Sequence, residues 1–209
     1  TDKKNRWADV PESLHLLTSK MRACARCKGL ELGPKPIFQL DERVKVLIAG
    51  QAPGRLAHTK NRPFDDPSGD RLRNWLGVDR FTFYDDKRIG IFPMGLCYPG
   101  SGSGSGGDKP PMKTCAATWR LPVLQALGKV ELTLVLGRYA IAWHLPYLRD
   151  RPVTEAVRRS SEGRKGIFVL PHPSPRNNMW LKKNAWFEAQ VVPRIRSKMA
   201  QVLDNTAVQ

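Results

Sequence analysis

Four short apolar runs do most to restrict how this chain can fold: Val44-Lys-Val-Leu-Ile-Ala-Gly50, Ile89-Gly-Ile-Phe92, Leu132-Thr-Leu-Val-Leu136 and Ile167-Phe-Val-Leu170. Each is of strand length and almost continuously apolar, which is how a strand buried on both faces reads. Stretches with helical spacing lie between them. Val10 to Met21 puts Leu14, Leu17 and Met21 on one face, and Ser68, a good N-cap, opens a segment that groups Leu72, Trp75 and Leu76. Further helical patterns cover Thr114 to Leu127, Arg138 to Leu145 and about Trp180 to Val202. Pro193 would break the last one, so a kink or a division in two is expected. Strands alternating with helices predict a single three-layer α/β/α domain over residues 1–209, with a mainly parallel central sheet. The run Ser101-Gly-Ser-Gly-Ser-Gly-Gly107 has linker composition, but a boundary there would part Cys97 from Cys115. It is read as a mobile surface loop within the domain.

Lys and Arg number 35 against 19 Asp and Glu, a net charge of +16. A polyanionic partner is expected, although charge alone does not separate DNA, RNA and an anionic membrane surface. No run approaches the roughly 18 apolar residues of a membrane span. The start, Thr1-Asp2-Lys3-Lys4, lacks the apolar core of a signal peptide. A cytoplasmic protein with no membrane partner is therefore expected. In a reducing compartment Cys24, Cys27, Cys97 and Cys115 are thiols or metal ligands rather than disulfides.

In parallel sheets ligands bind beyond the carboxyl ends of strands, where the loops Gly50 to Gly54 and His172 to Arg176 fall. Three pieces follow in order: Gly50-Gln-Ala-Pro-Gly54, then Arg62-Pro-Phe64-Asp65-Asp66-Pro-Ser-Gly69, then His172-Pro-Ser-Pro-Arg176. Singly each is ordinary loop chemistry. In this order they resemble the motif series of the uracil-DNA glycosylase superfamily over nearly the whole chain. The CxxC pair and the two later cysteines make the pattern most like that of the iron-sulfur members.

The resemblance implies a uracil-DNA glycosylase-like fold and a monofunctional DNA-repair glycosylase. Such an enzyme flips uracil, or another deaminated or damaged base, out of DNA and hydrolyses its bond to the sugar, leaving an abasic site. By motif position Phe64 stacks on the base and His172 stabilises it as it leaves. Gln51, Ala52, Phe92 and Pro93 complete the base pocket, and Pro53, Gly54, Arg55, Pro173, Ser174, Arg176 and Lys182 hold the DNA. Cys24, Cys27, Cys97 and Cys115 match the ligands of a [4Fe-4S] cluster; zinc suits the same four thiolates, and unligated core cysteines are the plain alternative. The implied protein is a nucleoid-associated monomer.

Two departures matter. Gln51 stands where iron-sulfur relatives usually carry Glu, and Ala52 where the best-known uracil enzymes carry Asp. Gln51 can hold a water but carries no charge, so Asp65, in preference to Asp66, is expected to supply the carboxylate. Asp66 can equally serve the turn before the helix. Pro93 stands where relatives place an Asn that reads the uracil edge, so a wider range of bases is expected. A second reading is a protein that binds damaged or abasic DNA with little turnover. A third, RNA binding or DNA scaffolding by charge alone, leaves the ordered motifs without a role.

Overall fold

The computed structural model describes residues 12–103, 107–161, 163 and 166–204. The four apolar runs become the strands β1 (Val46–Ala49), β2 (Ile89–Ile91), β3 (Leu132–Leu136) and β4 (Ile167–Leu170). They pair in the order β2-β1-β3-β4, every pair parallel, with Val46 level with Ile89 on one side and Leu132 on the other. All of β1 and β2 is buried, as continuous apolar runs require. The helices are α1 (Leu14–Arg22), α2 (Arg55–Lys60), α3 (Pro67–Leu76), α4 (Arg80–Phe83), α5 (Lys113–Ala126), α6 (Gly137–His144), α7 (Val153–Ser160), α8 (Asn178–Lys183) and α9 (Val192–Asp204).

Side chains of a strand alternate between faces, and β1 shows which helices cover each face. Val46 and Ile48 pack with Leu72, Trp75 and Leu76 of α3 and with Ile195, Met199 and Val202 of α9. Leu47, directed the other way, packs with Leu14, Leu17 and Met21 of α1 and with Trp119 and Val123 of α5. This is the expected three-layer arrangement. Each leucine or valine removed from water in these layers contributes roughly 1.5–3 kcal/mol.

The helical boundaries differ from expectation in instructive ways. Helix α3 is capped by Asp66, whose Oδ1 accepts from the Gly69 N–H at 2.9 Å with Pro67 in the first turn, so Ser68 lies inside the helix. The segment after Trp180 is divided: α8 ends at Lys183, a π-turn spans Phe187–Val191, and α9 follows with Pro193 in its first turn. The π-turn, closed by the Val192 N–H on the Phe187 carbonyl, runs straight into α9, and this local widening accommodates a proline that cannot donate. Val10 lies outside the described residues, and so do positions 104–106 of the Gly/Ser run. That run's described flanks are paired: Gly102 N–H donates to the Gly107 carbonyl and Lys109 N–H to the Gly100 carbonyl, both at 2.8 Å. No helix among the described residues is long and apolar enough to cross a membrane.

Candidate active site

A pocket of about 250 Å3 opens at the carboxyl edge of the sheet, lined by Gly50 after β1, Pro93 after β2 and His172 after β4. The loop between α2 and α3 supplies its aromatic wall. Phe64 has a left-handed backbone, φ 54°, which a bulky residue keeps only where its surroundings enforce it. Arg73 Nη1 donates to the Phe64 carbonyl at 3.3 Å, the Tyr84 hydroxyl to the Pro63 carbonyl at 3.0 Å and Lys60 to the Asp65 carbonyl at 2.8 Å. The Phe64 ring reaches within 3.7 Å of where a Gly50 Cβ would stand and lies edge-on to Phe83 at 6.3 Å. Gly69 lets α3 approach this loop, since a Cβ there would meet the Phe64 carbonyl oxygen at 1.7 Å.

His172 is fixed by its own loop. The Ser174 N–H donates to His172 Nδ1 at 3.2 Å, and Asn177 Nδ2 donates to the His172 carbonyl at 2.7 Å. Arg71 of α3 clamps the loop, giving Nη1 to the carbonyls of Pro173 and Ser174 at 3.3 and 3.1 Å and Nη2 to Asn178 Oδ1 at 2.7 Å. With Nδ1 accepting, a neutral imidazole carries its proton on Nε2. Burial holds the His172 pKa below 6.5; the Asp66 carboxylate opposes that shift and Arg176 adds to it. The side chain is therefore a neutral donor near pH 7.

The carboxylates are not arranged as expected. Asp65 does not line the pocket. Its Oδ1 pairs with Arg80 at 2.9 Å and Lys60 at 3.8 Å, and the Arg80 hydrogen bond, opposed by desolvation, holds its pKa low. Asp66 does line the pocket, its cap bond turning the carboxylate inward. Asp108 lines it too. Its pKa is raised by desolvation, opposed by Arg176 and reinforced by Asp66 and Glu31.

Of the other expected site residues, Pro53, Gly54, Arg55, Pro93, Ser174 and Arg176 join Phe64 and His172 at the pocket. Gln51 does not, because its amide donates to the Lys109 carbonyl at 3.1 Å and braces the neighbouring loop. Ala52 is also outside the lining. Phe92 is buried beneath the site with the Arg120 guanidinium 4.7 Å from its ring centre. Pro173 is buried within its loop, and Lys182 is exposed on α8, away from the lining. Sequence reasoning passed over Asp108, which sits at the end of a run whose composition signals only flexibility. Arg71 carried no local signal either.

The four cysteines come from three places: Cys24 and Cys27 after α1, Cys97 after β2 and Cys115 in the first turn of α5. Burial pushes the thiols of Cys97 and Cys115 up to about 11, with smaller upward contributions from Cys24 and Cys27, so all four share one electrostatic neighbourhood. The Leu96 N–H donates to Cys115 Sγ at 3.3 Å, and a Lys35 backbone N–H lowers Cys97 in part. Among the described residues no three His, Cys, Asp or Glu side chains are spaced to hold a metal ion as they stand.

The chain is thus an α/β protein with a parallel sheet and a pocket at the sheet's carboxyl edge, where proteins of this architecture bind ligands. The family model of the uracil DNA glycosylase superfamily matches residues 37–196, and the chain belongs to that superfamily. It is also similar to a solution NMR structure of a protein from Methanosarcina acetivorans, provisionally assigned as a uracil DNA glycosylase. That similarity has 20% identity and a TM-score of 0.47, and covers 78% of this chain and 97% of that one.

Proposed function

We propose that the protein is a DNA glycosylase that draws uracil or another damaged base into the pocket and hydrolyses its bond to the sugar. The observation that carries this reading is the Ser174 N–H on His172 Nδ1, which leaves an Nε2–H donor in a pocket also walled by Phe64. Phe64 stacks on the extruded base, and Arg55, Ser174 and Arg176 at the rim hold adjacent phosphates. As the bond between sugar C1′ and the base nitrogen breaks, its electron pair goes to the base, whose oxygen receives the His172 hydrogen bond. Water adds at C1′ and gives up a proton. Asp108, made more basic by its surroundings, accepts that proton, while Asp66 faces the positive charge growing on the sugar. Base specificity is broader than uracil alone, because Pro93 offers no side-chain amide to read the base edge.

The four thiols match the ligand number of a [4Fe-4S] cluster, and zinc would use the same four. They influence one another electrostatically, and backbone N–H groups of Lys35 and Leu96 face Cys97 and Cys115, the kind of hydrogen bond that tunes cluster sulfurs. Held by Cys24, Cys27, Cys97 and Cys115, the cluster would supply structure, tying α1 and α5 to the loop after β2. Protein purified without oxygen is expected to contain iron and sulfide, lost together in a Cys97→Ser variant.

Cleavage of end-labelled DNA bearing one uracil, followed by alkali, tests the proposed activity. Strand breaks are expected with the protein and a 10²- to 10⁴-fold slower rate with His172→Ala, the usual range for a lost acid–base group. Tight binding to abasic DNA without breaks on uracil or other damaged bases would favour the binding-only reading.

A further inference from the structure

A second concavity lies beside the pocket, the two lined by different residues of the same loops. It lies between the start of α5 and the body of α6, encloses about 390 Å3, and is lined by Met94, Pro111, Met112, Tyr139, Trp143 and Arg149 among others. On one wall Pro93 belongs to the pocket and Met94 to the groove; on the other, Asp108 belongs to the pocket and Pro110 to the groove. Backbone contacts pin this ridge. Met94 N–H donates to the Gly50 carbonyl at 2.9 Å, and the Gln51 amide holds the Lys109 carbonyl at 3.1 Å. Pro111 sits so close to Gly95 that a Cβ there would lie 2.9 Å from it.

The groove is apolar and aromatic on a chain of net charge +16, and Trp143 and Met112 are each 37% exposed. Trp143 is held from within by Arg120, whose guanidinium lies 5.4 Å from the indole centre. Arg120 is in turn fixed by the Phe92 carbonyl and by His144 Nε2. The His144 ring packs edge-on against the indole at 4.8 Å. A ring so placed loses little freedom when something stacks on it. The rim is cationic: Lys113 and Arg149 line it, and Arg138 lies over Tyr139 at 4.9 Å. A second copy, itself strongly positive, would be repelled by this rim. Bases need the rings and phosphates need the cations, which is how unpaired nucleic acid is held.

We infer that the groove receives the unpaired base next to the one in the pocket, stacked on Trp143 with phosphates at Lys113, Arg138 and Arg149, so that the favoured substrate is single-stranded or locally opened DNA. The inference rests on the glycosylase reading of the pocket and names its strand class.

Fluorescence anisotropy on two labelled single-stranded oligonucleotides tests it. Both carry an abasic analogue at the target; one keeps the flanking bases and the other replaces both flanking nucleotides with abasic ones. The wild type is expected to bind the first roughly 5- to 100-fold more tightly, the range of one stacked base. Trp143→Ala loses that difference and Trp143→Phe retains most of it, each with its melting transition recorded. Equal wild-type affinity for the two strands overturns the inference, as does a preference that survives in a folded Trp143→Ala. A self-associating wild type that becomes monomeric in Trp143→Ala, with DNA affinity unchanged, also overturns it and makes the groove a dimer face. Uracil cleavage by wild type and His172→Ala is scored separately, so a failed groove and a failed glycosylase reading give different results.

Discussion

Asp66 performs two tasks with one side chain: it caps α3 through Gly69 and faces the pocket near His172. Asparagine caps a helix about as well as aspartate but brings no charge. Asp66→Asn is therefore expected to stay within about 1 kcal/mol of wild-type stability by denaturant unfolding. Its excision rate should fall about 100-fold, the lower end of the range for a lost electrostatic group. Histidines give the chain a pH signature. Burial lowers the pKa of His58, His144 and His172, most of all His144, to about 3, with Arg120 adding to the effect. The unfolded chain then binds more protons between pH 6.5 and the folded values, so stability is complete above 6.5 and is lost as pH falls toward 3. The melting temperature should drop through that window. His144→Gln, which still accepts from Arg120, should flatten the fall by a few kcal/mol at its acid end.

Helix α3 orders the site as an element. Its N-terminus carries Asp66, Arg71 reaches across to the Pro173–Ser174 loop, and Arg73 holds the Phe64 carbonyl. The contact that lets it do so is the bare Gly69 against Phe64. Gly69→Ala would gain helix propensity of about 1 kcal/mol in an open setting. Here its methyl enters the Phe64 carbonyl, and a net loss of roughly 1–3 kcal/mol is expected, as for overpacking. Excision should fall with it, because the aromatic wall must move. Urea unfolding of Gly69→Ala beside Asn74→Ala, on the exposed side of the same helix, checks the sign.

At the scale of the whole molecule, several cations stand at the edge of the sheet where the pocket opens. Arg55 and Arg176 line the pocket, and Arg138 begins α6 at the same carboxyl edge of the sheet. If the proposed DNA complex uses these three cations on phosphates, affinity should weaken roughly 40-fold between about 50 and 200 mM salt. A titration of log affinity against log salt reads that slope directly. A flat line would remove DNA as the partner, while a shallower slope in Arg176→Ala would place one contact.

The strands, their parallel order of burial and the loops that follow them were legible in the residues because they depend on near neighbours. Continuous apolar runs specify buried strands, and the Gly50–Gly54 and His172–Arg176 turns follow directly from Gly and Pro. Phe64 and His172, singled out by the motif resemblance, both line the pocket. The choice among carboxylates was not legible. Asp65 and Asp66 are adjacent in the chain, and only Arg80 and Lys60 on one side and Gly69 on the other send one outward and one inward. Arg71 meets Ser174 across 103 positions, Gln51 is engaged by Lys109 across 58, and Trp143 rests on Arg120 from a different helix. Local periodicity holds no record of such pairings, so tertiary structure alone decided which charges face the pocket, which are neutralised away from it, and where an aromatic surface stays open beside it.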